Sequence, residues 1–191
     1  MRTKFVLIIF SICFIILGIV FSISLAKLEK PVRLVNSEIE KCSVKTEERI
    51  VRGDSLSPLV VSGQTVKILF DYYDCYEIKR NDIVVYNFSG NSNPIIKIVK
   101  GLPGDKFHLE KTESGWQILI NNEVLKNSEN KPYLLSENGY RMLSLYEKDY
   151  KGQIPEDAFL ILGNIISGSL DSTRFGLVGK DDILGKVELN N

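Results

Sequence analysis

Phe5 to Ala26 form a run of 22 apolar and small residues without a charge, and beyond residue 47 short period-two alternations take over. A helix of the first run would span roughly 33 Å, the depth of a bilayer's hydrocarbon core. Side chains on a strand alternate faces, so the later alternations, rich in Val, Ile and aromatic residues, predict strands. The expected strands are Arg49–Arg52, Thr65–Phe70, Asp82–Phe88, Pro94–Lys100, Lys106–Glu110, Trp116–Ile120, Ala158–Leu162 and Ile183–Glu188. Turn signals separate them: Ser62-Gly63, Ser89-Gly90-Asn91, Pro103-Gly104-Asp105 and Asn121-Asn122. Residues 127–157 mix Tyr, Asn and Glu and predict no strong amphipathic helix. The pattern therefore predicts a mostly β domain at 47–191, preceded by a short tail at 1–4, a transmembrane anchor at 5–26 and a polar juxtamembrane linker at 27–46.

Composition narrows the partners. The chain carries 24 basic and 24 acidic side chains, and only Arg2 and Lys4 fall before residue 27. A nearly neutral domain lacks the cationic footprint of a nucleic-acid binder, and that class is set aside. The small residues Ser24-Leu25-Ala26 also fit a cleaved secretory signal, but the apolar run exceeds the usual core of such a signal, about 7–15 residues. A retained anchor is the better reading. Lys27, Lys30 and Arg33 lie on its other side, so flanking charge does not set its orientation. Cys13 lies inside the run, while Cys42 and Cys75 form an even pair that could bridge in an oxidising compartment. No CxxC motif or His cluster accompanies them, and neither a metal nor a nucleotide cofactor is expected.

Two candidates for chemistry stand out, each with a plain structural alternative. In Ile95-Ile96-Lys97-Ile98-Val99 the alternation places Lys97 on one face with Ile95 and Val99. Burial there would lower the lysine pKa and make a general base, whereas an edge strand would let the side chain snorkel to water. Lys100 falls on the opposite face and should be dispensable. In Gly53-Asp54-Ser55-Leu56-Ser57-Pro58, Ser55 is either a nucleophile or one residue of a Gly/Pro surface turn.

The order of these segments resembles the bacterial type I signal peptidases, a Ser/Lys peptidase family. The serine box is matched by Gly53, Ser55 and Pro58, with Leu56 at a position that is usually Met. The base-bearing strand is matched by Lys97 running into Gly101-Leu102-Pro103-Gly104-Asp105, and the last box by Gly163, Ser169, Asp171, Ser172 and Phe175-Gly176. The resemblance implies a signal-peptidase-like β catalytic domain on one N-terminal transmembrane helix, located outside the cytoplasm. It implies Ser55 as nucleophile, Lys97 as general base, Ser169 as the hydroxyl that hydrogen-bonds and orients the lysine, and the Ser55 N–H as oxyanion donor. Preprotein signal peptides would be the substrates and the lipid bilayer the second partner. His108 is out of register with the base position and is expected to be a surface or strand histidine.

The sequence also departs from that pattern. Ile98 stands where Arg usually follows the lysine, Asn164 where Asp usually follows Gly163, and Thr173 where Arg follows the Asp-Ser pair. The first two positions pair in the family, so their joint change reads as an ion pair exchanged for a less polar contact. Three alternatives stay open: a catalytically idle anchored homologue acting as a binding module, a specialised pilin or conjugation processing peptidase, and a soluble self-cleaving Ser/Lys protein akin to the SOS repressors.

Overall fold

A computed structural model describes residues 43–88 and 93–189. The apolar run at 5–26, Cys13 and Cys42 lie outside the described residues, among which no helix is long and apolar enough to cross a membrane.

The structure is mostly β. Strands β1 (Lys45–Ile50), β2 (Thr65–Phe70), β3 (Ile83–Tyr86), β4 (Ile95–Gly101), β9 (Ala158–Leu162), β10 (Val178–Gly179) and β11 (Ile183–Leu189) form one antiparallel sheet in the order β1-β2-β11-β3-β4-β9-β10. A smaller sheet holds β5 (Phe107–Thr112), β6 (Gly115–Ile120), β7 (Glu123–Val124) and β8 (Leu134–Leu135). The expected strands at Thr65–Phe70 and Ala158–Leu162 have those bounds, and the other six differ at one or both ends. β1 begins at Lys45, inside the stretch read as linker.

β4 is a central strand with an apolar cluster on each face. Ile98 joins Val51, Leu56, Val60, Val66, Ile68, Val85 and Val187, with Ile96 packed against them. Val99 joins Tyr73, Val84, Tyr86, Phe159, Ile161, Val178 and Ile183, with Ile95 alongside. Buried on both faces, β4 is mostly apolar, and its two lysines, Lys97 and Lys100, are conspicuous.

Two expectations fail here for identifiable reasons. Residues 127–157 contain a helix, α1 (Glu137–Asp149), whose N-cap Ser136 accepts a bond from Gly139 N–H at 3.2 Å. It buries only Gly139 and Leu143, while Tyr140 stacks on Trp116 with ring centroids 3.7 Å apart. So thin an apolar stripe leaves little periodicity to read. Lys100, expected to be dispensable, is buried where a register shift between Val99 and Gly101 inserts it as an extra residue opposite Ile161 and Leu160. Such a bulge breaks the alternation on which the dispensable reading rested. Lys100 Nζ donates to Asn81 Oδ1 at 3.0 Å and to the Lys126 carbonyl at 3.3 Å.

Candidate active site

Ser55 lies in the loop that joins β1 to β2. Val51 N–H donates to Gln64 O and Gly63 N–H to Val51 O, both at 2.9 Å, so the hairpin ladder continues past the strand ends and closes the loop at its base. Inside it, Ser57 N–H donates to Asp54 O at 2.9 Å and Val60 N–H to Leu56 O at 3.1 Å. Leu56 and Val60 are buried in the cluster that contains Ile98, so the residue after Ser55 anchors the turn to the core. Leu56 fills an apolar site, which explains why it can stand where methionine is usual. Gly53 has φ +84°, a left-handed conformation that suits glycine, and Pro58 is exposed at the far side of the turn.

Lys97 comes from β4, opposite Val84 of β3, and is 3% exposed. Its Nζ lies 2.9 Å from Ser55 Oγ and donates to the Ile96 carbonyl at 2.7 Å. Burial lowers the lysine pKa from 10.5 to about 8, and the nearby Asp171 carboxylate partly offsets that fall. An ammonium at this point donates to the serine oxygen, and a neutral amine can accept the serine proton.

The last box closes over this pair. Gly163 follows β9; its N–H donates to Asp171 Oδ2 at 2.9 Å and its carbonyl accepts from Tyr133 Oη at 2.7 Å. Asp171 is buried, and its other oxygen accepts from Thr173 N–H at 3.0 Å and Thr173 Oγ1 at 2.8 Å, capping the short helix α2 (Ser172–Phe175). Thr173 thereby serves as a capping partner at the position where arginine is usual. Ser172 is buried, and its Oγ accepts from Ile161 N–H at 3.0 Å. The Gly163 backbone is packed so closely that a Cβ would lie 2.5 Å from Ser169 Oγ and 2.8 Å from the Ser55 carbonyl oxygen.

Ser169 corrects one expectation. Its Oγ is buried and has no hydrogen-bond partner among the described residues, so the expected bond to Lys97 is not formed there; the lysine donates to the Ile96 carbonyl instead. The ion-pair positions are also resolved. Ile98 belongs to the apolar cluster beneath Leu56, whereas Asn164 is fully buried and bonds through its side chain to Ser57 O, Ser128 N and Ser128 Oγ. Asn164 N–H also donates to Ser55 O at 2.7 Å. Ile98 thus sits in an apolar cluster and Asn164 in a neutral hydrogen-bonded network, so neither position carries a charge.

The Gly101-Leu102-Pro103-Gly104-Asp105 segment is structural. Both Asp105 carboxylate oxygens accept from Arg80 Nη2 at 2.7 Å, and one also caps Leu102 N–H at 2.6 Å. A Cβ at Gly101 would lie 2.5 Å from Ile154 Cδ1, so the turn fixes where β4 ends. His108 is an exposed residue of β5 whose Nδ1 lies 2.6 Å from Glu147 Oε1. Cys75 is disulfide-bonded. Sequence reasoning missed Tyr133, Asn127 and Ser128, which contact the last box from positions whose local pattern is that of an ordinary turn.

Known proteins resemble this chain over most of its length. The family model described as signal peptidase, peptidase S26, matches residues 3–190. Signal peptidase I of Bacillus caldolyticus is 29% identical over 142 residues, which cover 73% of this chain and 75% of that protein. Signal peptidase IB of Staphylococcus aureus is 25% identical over 148 residues, covering 72% of this chain and 73% of its own. A crystal structure of a signal peptidase I from Enterococcus faecalis V583 aligns with 59% of this chain and 98% of that one, at 22% identity and a TM-score of 0.43, a likeness too low to carry weight.

Proposed function

Because this chain belongs to the signal peptidase family, peptidase S26, we propose that it is a serine endopeptidase that removes N-terminal signal peptides from exported preproteins. Ser55 is the nucleophile and Lys97 the general base. The observation that carries this reading is the 2.9 Å contact between Ser55 Oγ and a lysine whose pKa burial has lowered to about 8.

The reaction follows from that pair. Neutral Lys97 takes the proton from Ser55 Oγ as the oxygen attacks the scissile carbonyl carbon. Negative charge then develops on the substrate oxygen, and Ser55 N–H, which has no acceptor among the described residues, donates to it. The Lys97 ammonium returns its proton to the leaving amine as the C–N bond breaks, leaving the signal peptide esterified to Ser55. Water, deprotonated by Lys97, then attacks that ester. The Lys97 ammonium gives the proton to Ser55 Oγ as the acyl C–O bond breaks, which frees the carboxylate of the cleaved signal peptide and restores the pair. Asp171 tempers the loss of lysine basicity that burial causes.

The apolar run at 5–26 anchors the chain, and the domain works on the outer side of the membrane, where the oxidised Cys75 is at home and Cys42 is its partner. An extended substrate fits such a domain by strand addition. The binding-module alternative rested on the altered last box, and Asn164 weakens it because its N–H and Nδ2 bond the Ser55 loop, so the altered box still supports the serine turn. The test is cleavage of a purified preprotein by the full chain in detergent. Ser55→Ala and Lys97→Ala should each abolish turnover, and the double variant should be little worse, because the two act as a unit. Substantial turnover by either single variant would overturn the assignment.

A further inference from the structure

The geometry points to Asn164 as the residue that positions the nucleophile, acting through the backbone of the Ser55 turn. The inference rests on the reading of Ser55 as nucleophile.

Asn164 has no exposed surface, and each of its polar groups is engaged. Its N–H donates to the Ser55 carbonyl at 2.7 Å, and its Nδ2 donates to the Ser57 carbonyl at 3.0 Å. One residue thus holds the carbonyls on both sides of Leu56, whose side chain is itself buried in the core. With those two carbonyls held and Leu56 packed below, the turn cannot pivot about Ser55 without breaking a buried bond. The Oγ direction toward Lys97 follows from that constraint.

A second turn backs the clamp. Asn164 Oδ1 accepts from Ser128 N–H at 3.0 Å, Nδ2 also donates to Ser128 Oγ at 2.8 Å, and the Asn164 carbonyl accepts from Asn127 Nδ2 at 2.9 Å. Asn127 in turn folds its own loop by accepting from Glu129 N–H and Lys131 N–H, each at 3.0 Å. Ser128 N–H can only donate and the Ser57 carbonyl can only accept, so the two ends of the amide are not interchangeable. An aspartate at 164 would set a carboxylate oxygen against the Ser57 carbonyl and lose the donor. The neutral amide is thus the group this turn requires, while Ile98 packs in the apolar cluster with Leu56.

The test is Asn164→Asp in the full chain, assayed on a preprotein substrate, with kcat expressed per Ser55 titrated to completion by an acylating penem. We expect kcat to fall between about 10- and 100-fold, the range a displacement of up to ~1 Å produces, with KM within about twofold of wild type. A purely structural role would lower the titratable fraction and leave kcat per site unchanged, and that result would overturn the inference. Should Asn164→Asp not fold, Ser128→Ala carries the test. It removes one acceptor of the amide and should lower kcat about two- to fivefold, and an unchanged kcat there would overturn the inference. An inactive Ser55→Ala beside a fully active Asn164→Asp would sink the positioning role alone, whereas turnover by Ser55→Ala would sink the nucleophile reading on which it rests.

Discussion

Gly163→Ala adds one methyl group between Ser55 and Ser169. Gly163 lies outside the left-handed region, so alanine incurs no backbone strain there and the effect is steric. The new Cβ would sit 2.5 Å from Ser169 Oγ, 2.8 Å from Ser169 Cβ and 2.8 Å from the Ser55 carbonyl. Carbon contacts are at rest near 3.5–4.0 Å, so the neighbours must separate by roughly 0.7–1 Å. Ser169 cannot relieve this by rotating, because its Cβ is involved as well as its Oγ. The Ser55 carbonyl cannot yield freely either, since Asn164 N–H holds it at 2.7 Å. Over-packing of this kind costs about 1–3 kcal/mol of stability, and a shift near 1 Å at the nucleophile costs about 100-fold in kcat. Steady-state cleavage of a preprotein and thermal unfolding, measured on the same preparations, separate the two losses. Gly179→Ala is the control, because nothing lies within 4 Å of its added Cβ. A Gly163→Ala enzyme with kcat within about threefold of wild type would refute the claim that this close approach sets the site.

The other predictions concern the lysines and the cysteine. Only neutral Lys97 accepts a proton, so kcat/KM should rise with pH through about 8, and Asp171→Asn, which removes the anion that raises the lysine pKa, should move that limb to lower pH. The folded-state pKa lies below the unfolded value, so the unfolded chain holds the proton more tightly and wild-type stability should increase from pH 8 toward 10.5, by at most about 3 kcal/mol. In denaturant titrations Lys97→Met should lack that increase. Lys100→Met should lower stability by about 1–3 kcal/mol by stranding the Asn81 and Lys126 acceptors, while Lys67→Ala, on the surface beside Glu188, should be within about 0.5 kcal/mol of wild type. Non-reducing gels should show a mobility change on reduction that Cys42→Ser and Cys75→Ser each remove, and its persistence in Cys42→Ser would disprove that pairing.

Much of the large sheet was legible because its strands bury β-branched residues at regular spacing. Thr65–Phe70 lies within unbroken ladders on both sides, and the ends of both Thr65–Phe70 and Ala158–Leu162 coincide with polar or turn residues. Lys97 stood out as the polar interruption of an apolar strand, and the structure buries it. Lys100, three residues on, was misread because a bulge is a property of two strands together and leaves no local mark on one. Helix α1 escaped because its buried side carries little more than Gly139, Leu143 and a stacked Tyr140. The Gly-Leu-Pro-Gly-Asp turn, the most specific segment of the resemblance, holds Arg80 and ends a strand rather than taking part in chemistry. Asn164 was visible only as a departure, since its meaning depends on Ser57 and Ser128, each far from it in the chain.

The most direct test of the account is the pH dependence of Ser55 acylation. The full chain would be reacted with a penem or a preprotein-derived ester and quenched rapidly, and the modified peptide identified by mass. The account predicts one acyl group, on the peptide that carries Ser55, forming at a rate that rises with pH through about 8 and is lost in Lys97→Ala. Acylation at another residue, or a Ser55 rate that Lys97→Ala leaves unchanged, would contradict it.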